Sequence, residues 1–255
     1  MRKSWEYYDD IAGRYDYMYE EPYWVLYHML LKRLIESHKV NGRILDLGTG
    51  TGRWAIEMAL QDMEVIAVDP SEKMLSVASE KAKMNGVNIQ FIKAQGEALP
   101  FDDCEFDVVL AMGDVISYSV SPERLLSEIN RVLKKGGKLL ATVDNGFAFL
   151  QDFISNIELK NAEEFLKRKK VLIGDSTVSR IHFYTRPFFP EELESLLKGN
   201  NFELVDMAGM VVFTPYDEMK LARNLDRVLE WEYRYCRDMR LLGRAEHIFL
   251  AAVKG

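Results

Sequence analysis

Ile44-Leu45-Asp46-Leu47-Gly48-Thr49-Gly50-Thr51-Gly52 constrains this chain more than any other stretch. Apolar residues around one carboxylate run into glycines at every second position, and the helix-compatible Arg53-Trp54-Ala55-Ile56-Glu57-Met58-Ala59-Leu60 follows at once. That order is expected when a buried parallel strand ends in a tight turn. Glycine tolerates positive φ and leaves no Cβ in the way, so alternating glycines between strand and helix make a floor of exposed amides on which a ligand can lie. A plain strand-to-helix turn would use the same residues, and the segments that follow have to discriminate.

At 255 residues and 48% hydrophobic, the chain can bury one substantial core, either as one large domain or as one domain with inserts. No stretch reaches the apolar length of a bilayer span, and Met1-Arg2-Lys3-Ser4-Trp5-Glu6 lacks the apolar core of a signal peptide, so a cytoplasmic protein is expected. Cys104 and Cys236 stand alone, without the Cys or His spacing of a disulfide framework or a zinc site, and no metal is expected. A net charge of −7 disfavours attraction to a phosphate backbone, so nucleic acid is not an expected partner.

Residues 5–27 are crowded with aromatic side chains, among them Trp5, Tyr7, Tyr8, Tyr15, Tyr19 and Trp24. A tyrosine has a flat apolar body and a polar tip, which suits a segment folded over a half-wet cleft; a helix packed on a sheet would use the same rings. Pro22 and the apolar spacing after it predict a helix to about Ser37. Glu64-Val65-Ile66-Ala67-Val68-Asp69 reads as a second buried strand ending in an acid, placed to meet the hydroxyls of a ribose carried by a ligand on the glycine turn. A helix to about Met84, a strand over Asn88 to Lys93, a strand over Phe106 to Ala111, a helix over Pro122 to Leu133 and a strand over Lys138 to Val143 follow. Such alternation predicts a parallel sheet with helices on both faces and ligands at the carboxyl ends of its strands.

Beyond this the pattern is less regular. Phe147 to Lys170 reads as helical with the basic end Lys167-Arg168-Lys169-Lys170, Val178 to Arg186 as a strand and Pro190 to Lys198 as a helix. Phe202 to Met207 and His247 to Val253 are expected to finish the sheet, the last strand antiparallel, and Asp217 to Leu241 to form one long amphipathic helix.

The glycine turn, Asp69 and the opening Tyr8-Asp9-Asp10-Ile11-Ala12-Gly13-Arg14-Tyr15-Asp16 together resemble the class I S-adenosylmethionine-dependent methyltransferases, in the group that includes the menaquinone and ubiquinone biosynthesis methyltransferases. The resemblance runs through about Phe189 and returns at the last strand. It implies an α/β, Rossmann-like, doubly wound seven-stranded sheet with cap insertions, and S-adenosylmethionine as cofactor. Its glycine pattern, Gly-x-Gly-x-Gly, also differs from the nicotinamide fingerprint, because the third glycine comes one residue early. Carried over by position, Asp46 helps hold the methionyl ammonium above Gly48, Thr49, Gly50 and Gly52. Asp69 takes the ribose hydroxyls, and Pro70 and Met74 lie near the adenine. Gln95-Gly96-Glu97 stands where the group carries an acid before Ala-Glu, so Gln95 departs from the pattern, although its carbonyl can still accept from the adenine amino group. Tyr15 is the lid residue, and Met112 after the fourth strand faces the transferred methyl.

The same resemblance divides the chain into a lid and helix over 1–40, a cofactor-binding core over 41–145, a cap over 146–189, and a completion of the sheet over 190–255 with a helical insertion at about 217–241. Candidates for lining the acceptor are Tyr7, Tyr8, Asp114, Tyr118, and His182 with Tyr184, two apart on the presumed cap strand. The segment after the fourth strand, Met112-Gly113-Asp114-Val115, lacks both the Asn-Pro-Pro-Tyr type signature and a Pro-Cys nucleophile, which points to a small-molecule acceptor. A tRNA or protein methyltransferase and a non-catalytic cofactor-binding module stay as alternatives, and a homodimer stays open.

Overall fold

The sheet is organised about β1 (Arg43–Leu47), whose residues alternate between two separate apolar layers. Ile44 packs on one face with Leu26, Leu30, Val65 and Val108, while Leu45 and Leu47 pack on the other with Ile66, Val109, Leu125 and Ile129. Period-two side chains buried on both faces require helices on both sides, and the computed structural model, which describes residues 3–255, has them. Met1 and Arg2, which begin the polar opening read above, lie outside the described residues.

In chain order the elements are α1 (Ser4–Ile11), 3-10 turns at Ala12–Arg14 and Asp16–Tyr19, α2 (Pro22–Ser37), β1, α3 (Arg53–Ala59), β2 (Glu64–Asp69), α4 (Glu72–Met84), β3 (Gln90–Lys93), β4 (Phe106–Ala111), α5 (Val115–Tyr118), α6 (Pro122–Val132) and β5 (Leu133–Asp144). Then come α7 (Gly146–Ser155), α8 (Leu159–Arg168), β6 (Val171–Ile173), β7 (Phe183–Thr185), α9 (Pro190–Gly199), β8 (Phe202–Met210), α10 (Glu218–Ala222), α11 (Leu225–Tyr235), a 3-10 turn at Leu242–Arg244 and β9 (His247–Lys254). The strands lie in the order β3-β2-β1-β4-β5-β9-β8, with a separate β6-β7 pair. Within the seven-stranded sheet of the described residues, β9 alone runs against its neighbours, pairing antiparallel with both β5 and β8. The expected Rossmann-like, doubly wound architecture with an antiparallel last strand is therefore present. The order of successive strands reverses between the parallel neighbours β1 and β4, which opens a crevice at their carboxyl ends.

Local chemistry sets the helix starts. Ser71 accepts from the Met74 amide at 3.1 Å to begin α4, and Ser121 does the same for Arg124 at 3.3 Å ahead of Pro122 in α6. Among the described residues no helix is long and apolar enough to cross a membrane.

Four expectations are corrected. The predicted helix over 217–241 is two, because the Asn224 side-chain amide donates to the Lys220 carbonyl at 2.8 Å and closes α10. The predicted helix over 147–170 is also two, broken where Ile157 takes a positive φ of 60°. The predicted strand over 178–186 shrinks to β7, since the Val178 and Ser179 amides turn back onto the Asp175 carbonyl. The fifth strand, expected from Lys138, begins at Leu133, with Gly136-Gly137 inside β5 at an irregularity that shifts the pairing between Phe106↔Leu133 and Val108↔Lys138.

Candidate active site

The turn after β1 is fastened by the Gly48 and Thr49 amides, which donate to the Val68 carbonyl at 2.8 and 3.0 Å. Gly48, Gly50 and Gly52 all take positive φ, for two different spatial reasons. A Cβ on Gly48 would stand 2.4 Å from Val115 Cγ2, and one on Gly52 3.0 Å from Ala78 Cβ, so both allow close packing. Around Gly50 nothing lies within 4 Å of that position, so its backbone borders open space. That space is a cavity of about 420 Å³ at the carboxyl edge of the sheet.

Two buried acids border it. Asp46 Oδ2 accepts from Thr49 Oγ1 at 2.6 Å and from the Ala55 amide at 3.0 Å, which ties the strand to the start of α3. Asp69 Oδ2 accepts from the Gly50 amide at 2.9 Å and its Oδ1 from the Ser71 amide at 2.8 Å, joining the first two loops. Burial pushes both carboxyls up to about 6, against the pull of these donors.

The roof is the aromatic N-terminal segment. Tyr8, Tyr15 and Tyr19 line the cavity, with Tyr8 and Tyr15 ring centres 5.9 Å apart and Tyr15 and Tyr19 4.9 Å apart. Three aspartates of the opening motif pin it down. Asp9 accepts from Ser71 Oγ at 2.9 Å, Asp10 from Ser179 Oγ at 2.7 Å, and Asp16 from Thr51 Oγ1 and Lys81 Nζ, each at 2.7 Å. Burial tends to raise Asp16, but Lys81 and Thr51 outweigh it and hold the carboxyl below its usual range. Asp16→Ala is expected to speed amide hydrogen exchange across residues 4–19. The cost is at most about 1 kcal/mol, because the pair is partly exposed. Unchanged exchange in that variant would show that the other two aspartates hold the roof alone.

Of the residues singled out from sequence, Tyr8, Tyr15, Asp46, Gly48, Thr49, Gly50, Asp69, Pro70, Met74, Gln95, Gly96, Glu97, Met112, Asp114, Tyr118 and Tyr184 border the cavity. Gly52, Tyr7 and His182 do not. Gly52 packs on α4, and Tyr7 lies behind Tyr8, edge-on at 5.4 Å. His182 turns to Ser176, 3.1 Å from its Oγ, because the short β7 leaves it outside the paired strand. Residues 217–241, the expected helical insertion, pack on α2, through an Arg33–Glu230 ion pair at 2.6 Å and Arg33 over the Tyr233 ring. The cap segment that reaches the cavity is the β6-β7 hairpin, through Lys170, Tyr184, Thr185 and Arg186.

Sequence reasoning missed Trp24, Tyr27, His28 and His247, all bordering the cavity, and Asp144 behind it. Only the aromatic crowding of residues 5–27 hinted at the first two. Burial pushes the Tyr8, Tyr27 and Tyr118 hydroxyls well above their usual range, so they stay protonated. His28 is pushed down to about 4 by burial and by Arg53, and is neutral at pH 7.

The donor set suits a nucleoside carrying an amino acid. Asp69 keeps lone pairs for vicinal hydroxyls after accepting two amides, and the open backbone at Gly50 leaves room for the group between the two acids. Residues 44–137 match the methyltransferase-domain family. Over 188 residues the chain is 30% identical to a ubiquinone biosynthesis O-methyltransferase of Rhizobium etli, spanning 72% of this chain and 69% of that one. This chain belongs to the class I S-adenosylmethionine-dependent methyltransferases.

An uncharacterized protein of Methanocaldococcus jannaschii is 31% identical to this methyltransferase over 174 residues, 68% of this chain and 78% of the relative. In fold, the methyltransferase superposes on a Thermotoga maritima S-adenosylmethionine-dependent methyltransferase with a TM-score of 0.59. That match has 22% identity and covers 98% of this chain and 99% of the other. Its cofactor is S-adenosylmethionine.

Proposed function

We propose that this methyltransferase methylates a small molecule with a partly aromatic or apolar body, bound beneath the N-terminal tyrosines. The observation that carries this reading is the roof. Tyr8, Tyr15 and Tyr19 cover the cavity while Asp9, Asp10 and Asp16 tie the segment to α4, to the glycine turn and to the loop before β7. A cavity of about 420 Å³ covered in this way suits a small ligand better than a polymer strand. The basic run at the end of α8 gives little support to a polyanion. Arg168 pairs with Glu164 at 2.9 Å, and Lys169 pairs with Glu192 at 2.7 Å. The name of the Rhizobium relative, an O-methyltransferase, favours an oxygen acceptor.

In this reading Asp69 holds the ribose hydroxyls, Asp46 and the turn at Gly48 to Gly50 hold the amino acid end, and Pro70, Met74 and Gln95 to Glu97 surround the adenine. Bound S-adenosylmethionine supplies an activated methyl on a sulfonium. The protein's part is to hold the acceptor in line, exclude water and keep a fixed field on the reacting atoms. Tyr8, Tyr27 and Tyr118, held protonated, serve as donors that orient an acceptor.

A pH dependence follows from Asp69. Its carboxyl is raised to about 6 by burial, so below that pH it carries a proton and offers the ribose no anionic acceptor. Affinity for S-adenosylhomocysteine is expected to be flat above pH 7 and to weaken below 6 by up to about tenfold per pH unit through Asp69, with Asp46, raised to the same value at the amino acid end, adding its own loss. Calorimetric titration between pH 5 and 8 reads this, and a flat profile would remove Asp69 from the contact. The acceptor itself is sought by incubating the protein with methyl-labelled cofactor and a metabolite extract. A labelled small molecule is expected. Label appearing only in tRNA or protein, or no label from a protein that binds S-adenosylhomocysteine, would overturn the proposal.

A further inference from the structure

Three residues that sequence spacing does not connect converge on the inner wall of the cavity. Asp114 follows β4, Asp144 ends β5, and His247 opens β9 directly across the sheet from Asp144. One donor atom from each lies within 4.8 Å of the other two. His247 Nδ1 is 3.0 Å from Asp114 Oδ2 and 3.5 Å from Asp144 Oδ1.

An imidazolium sharing its proton with either carboxylate would aim the N–H at an oxygen. Here buried Nδ1 forms no such aligned bond, and Asp114 Oδ1 has no donor either, although Asp114 is only 5% exposed and borders the cavity. A buried ring nitrogen, and on the acid beside it a buried carboxylate oxygen, both without aligned partners, leave room for a further, positively charged partner at this spot.

We propose that Asp114, Asp144 and His247 form a binding site for one divalent transition-metal cation, Mn²⁺ or Zn²⁺. One imidazole nitrogen and two carboxylates make a mixed donor set suited to these ions, and with neutral imidazole its charge of −2 balances a dication. The surrounding groups hold the donors in place. Thr185 Oγ1 donates to Asp144 Oδ2 at 2.5 Å and leaves Oδ1 free, while Thr142 Oγ1 accepts from the Gly113 and Asp114 amides at 2.9 and 3.2 Å and fixes the loop. Asp114 and His247 border the cavity, so the remaining coordination positions open toward the acceptor. Use of those positions by an acceptor oxygen rests on the acceptor reading above; cation binding does not. The site departs from the expectation of no metal, which rested on Cys and His spacing alone.

The test uses the chelator-stripped 255-residue protein. Mn²⁺ is titrated by electron paramagnetic resonance, Zn²⁺ by calorimetry, and S-adenosylhomocysteine in parallel. One equivalent of cation is expected, bound at least about tenfold more weakly by Asp144→Asn and by His247→Gln. Because either variant can fail to fold, the wild-type protein carries a second readout: spin-echo modulation of bound Mn²⁺ by one imidazole nitrogen. Protein that binds S-adenosylhomocysteine but neither cation, binding untouched in both folded variants, or bound Mn²⁺ without nitrogen modulation overturns the site. Cation binding without S-adenosylhomocysteine binding supports the site and counts instead against the proposed cofactor contacts.

Discussion

Asp69→Ala is expected to weaken S-adenosylhomocysteine binding by about 1 to 3 kcal/mol, a factor of about 5 to 150 in Kd. The side chain has two tasks that the substitution removes together. Its oxygens accept the Gly50 and Ser71 amides, so truncation frees two donors and loosens the first two loops, and it withdraws the anionic acceptor offered to the ribose. Asp69→Asn separates the two effects, since the amide keeps one acceptor oxygen and the shape of the side chain but loses the charge. Calorimetry gives the affinity and a thermal melt shows that the variant is folded. A folded Asp69→Ala protein with an unchanged dissociation constant would mean that the sugar lies elsewhere.

Gly48→Ala is expected to cost roughly 2 to 4 kcal/mol of folding stability. Its φ of 69° is in the left-handed region, which an alanine enters only at a penalty, and the added Cβ would meet Val115 Cγ2 at 2.4 Å. Pairing it with Val115→Ala should recover the steric part and leave the backbone part. Denaturant unfolding of the two single variants and the pair measures the coupling. A Gly48→Ala loss below about 0.5 kcal/mol would mean that the turn relaxes freely, which would undercut the fixed approach of β1 to α5.

What could be read without coordinates was local. Asp46, the glycines and Asp69 announce themselves because strand, turn and helix are consecutive, and the same alternation orders the first five strands of the sheet. The opening motif reads Tyr15 as a lid and Tyr8 as a lining residue, and both border the cavity, but the aspartates beside them do not read as fasteners, since their partners Ser71, Ser179, Thr51 and Lys81 belong to other elements. Asp144 and His247 went unseen because only the β5-β9 pairing brings them together. The expected helix over 217–241 failed because hydrophobic spacing is blind to a cap such as Asn224. Period-two spacing puts His182 on the same side as Tyr184 and fails here because β7 is only three residues long and begins at Phe183.

The position of β9 bears on how this protein is made. Among the described residues β8 pairs in the sheet with β9 alone, so during synthesis residues 202–210 have no strand partner until residues 247–254 have emerged. Vectorial synthesis can assemble the nucleotide-binding half early, while His247 joins Asp144 only when this late segment slots in beside β5.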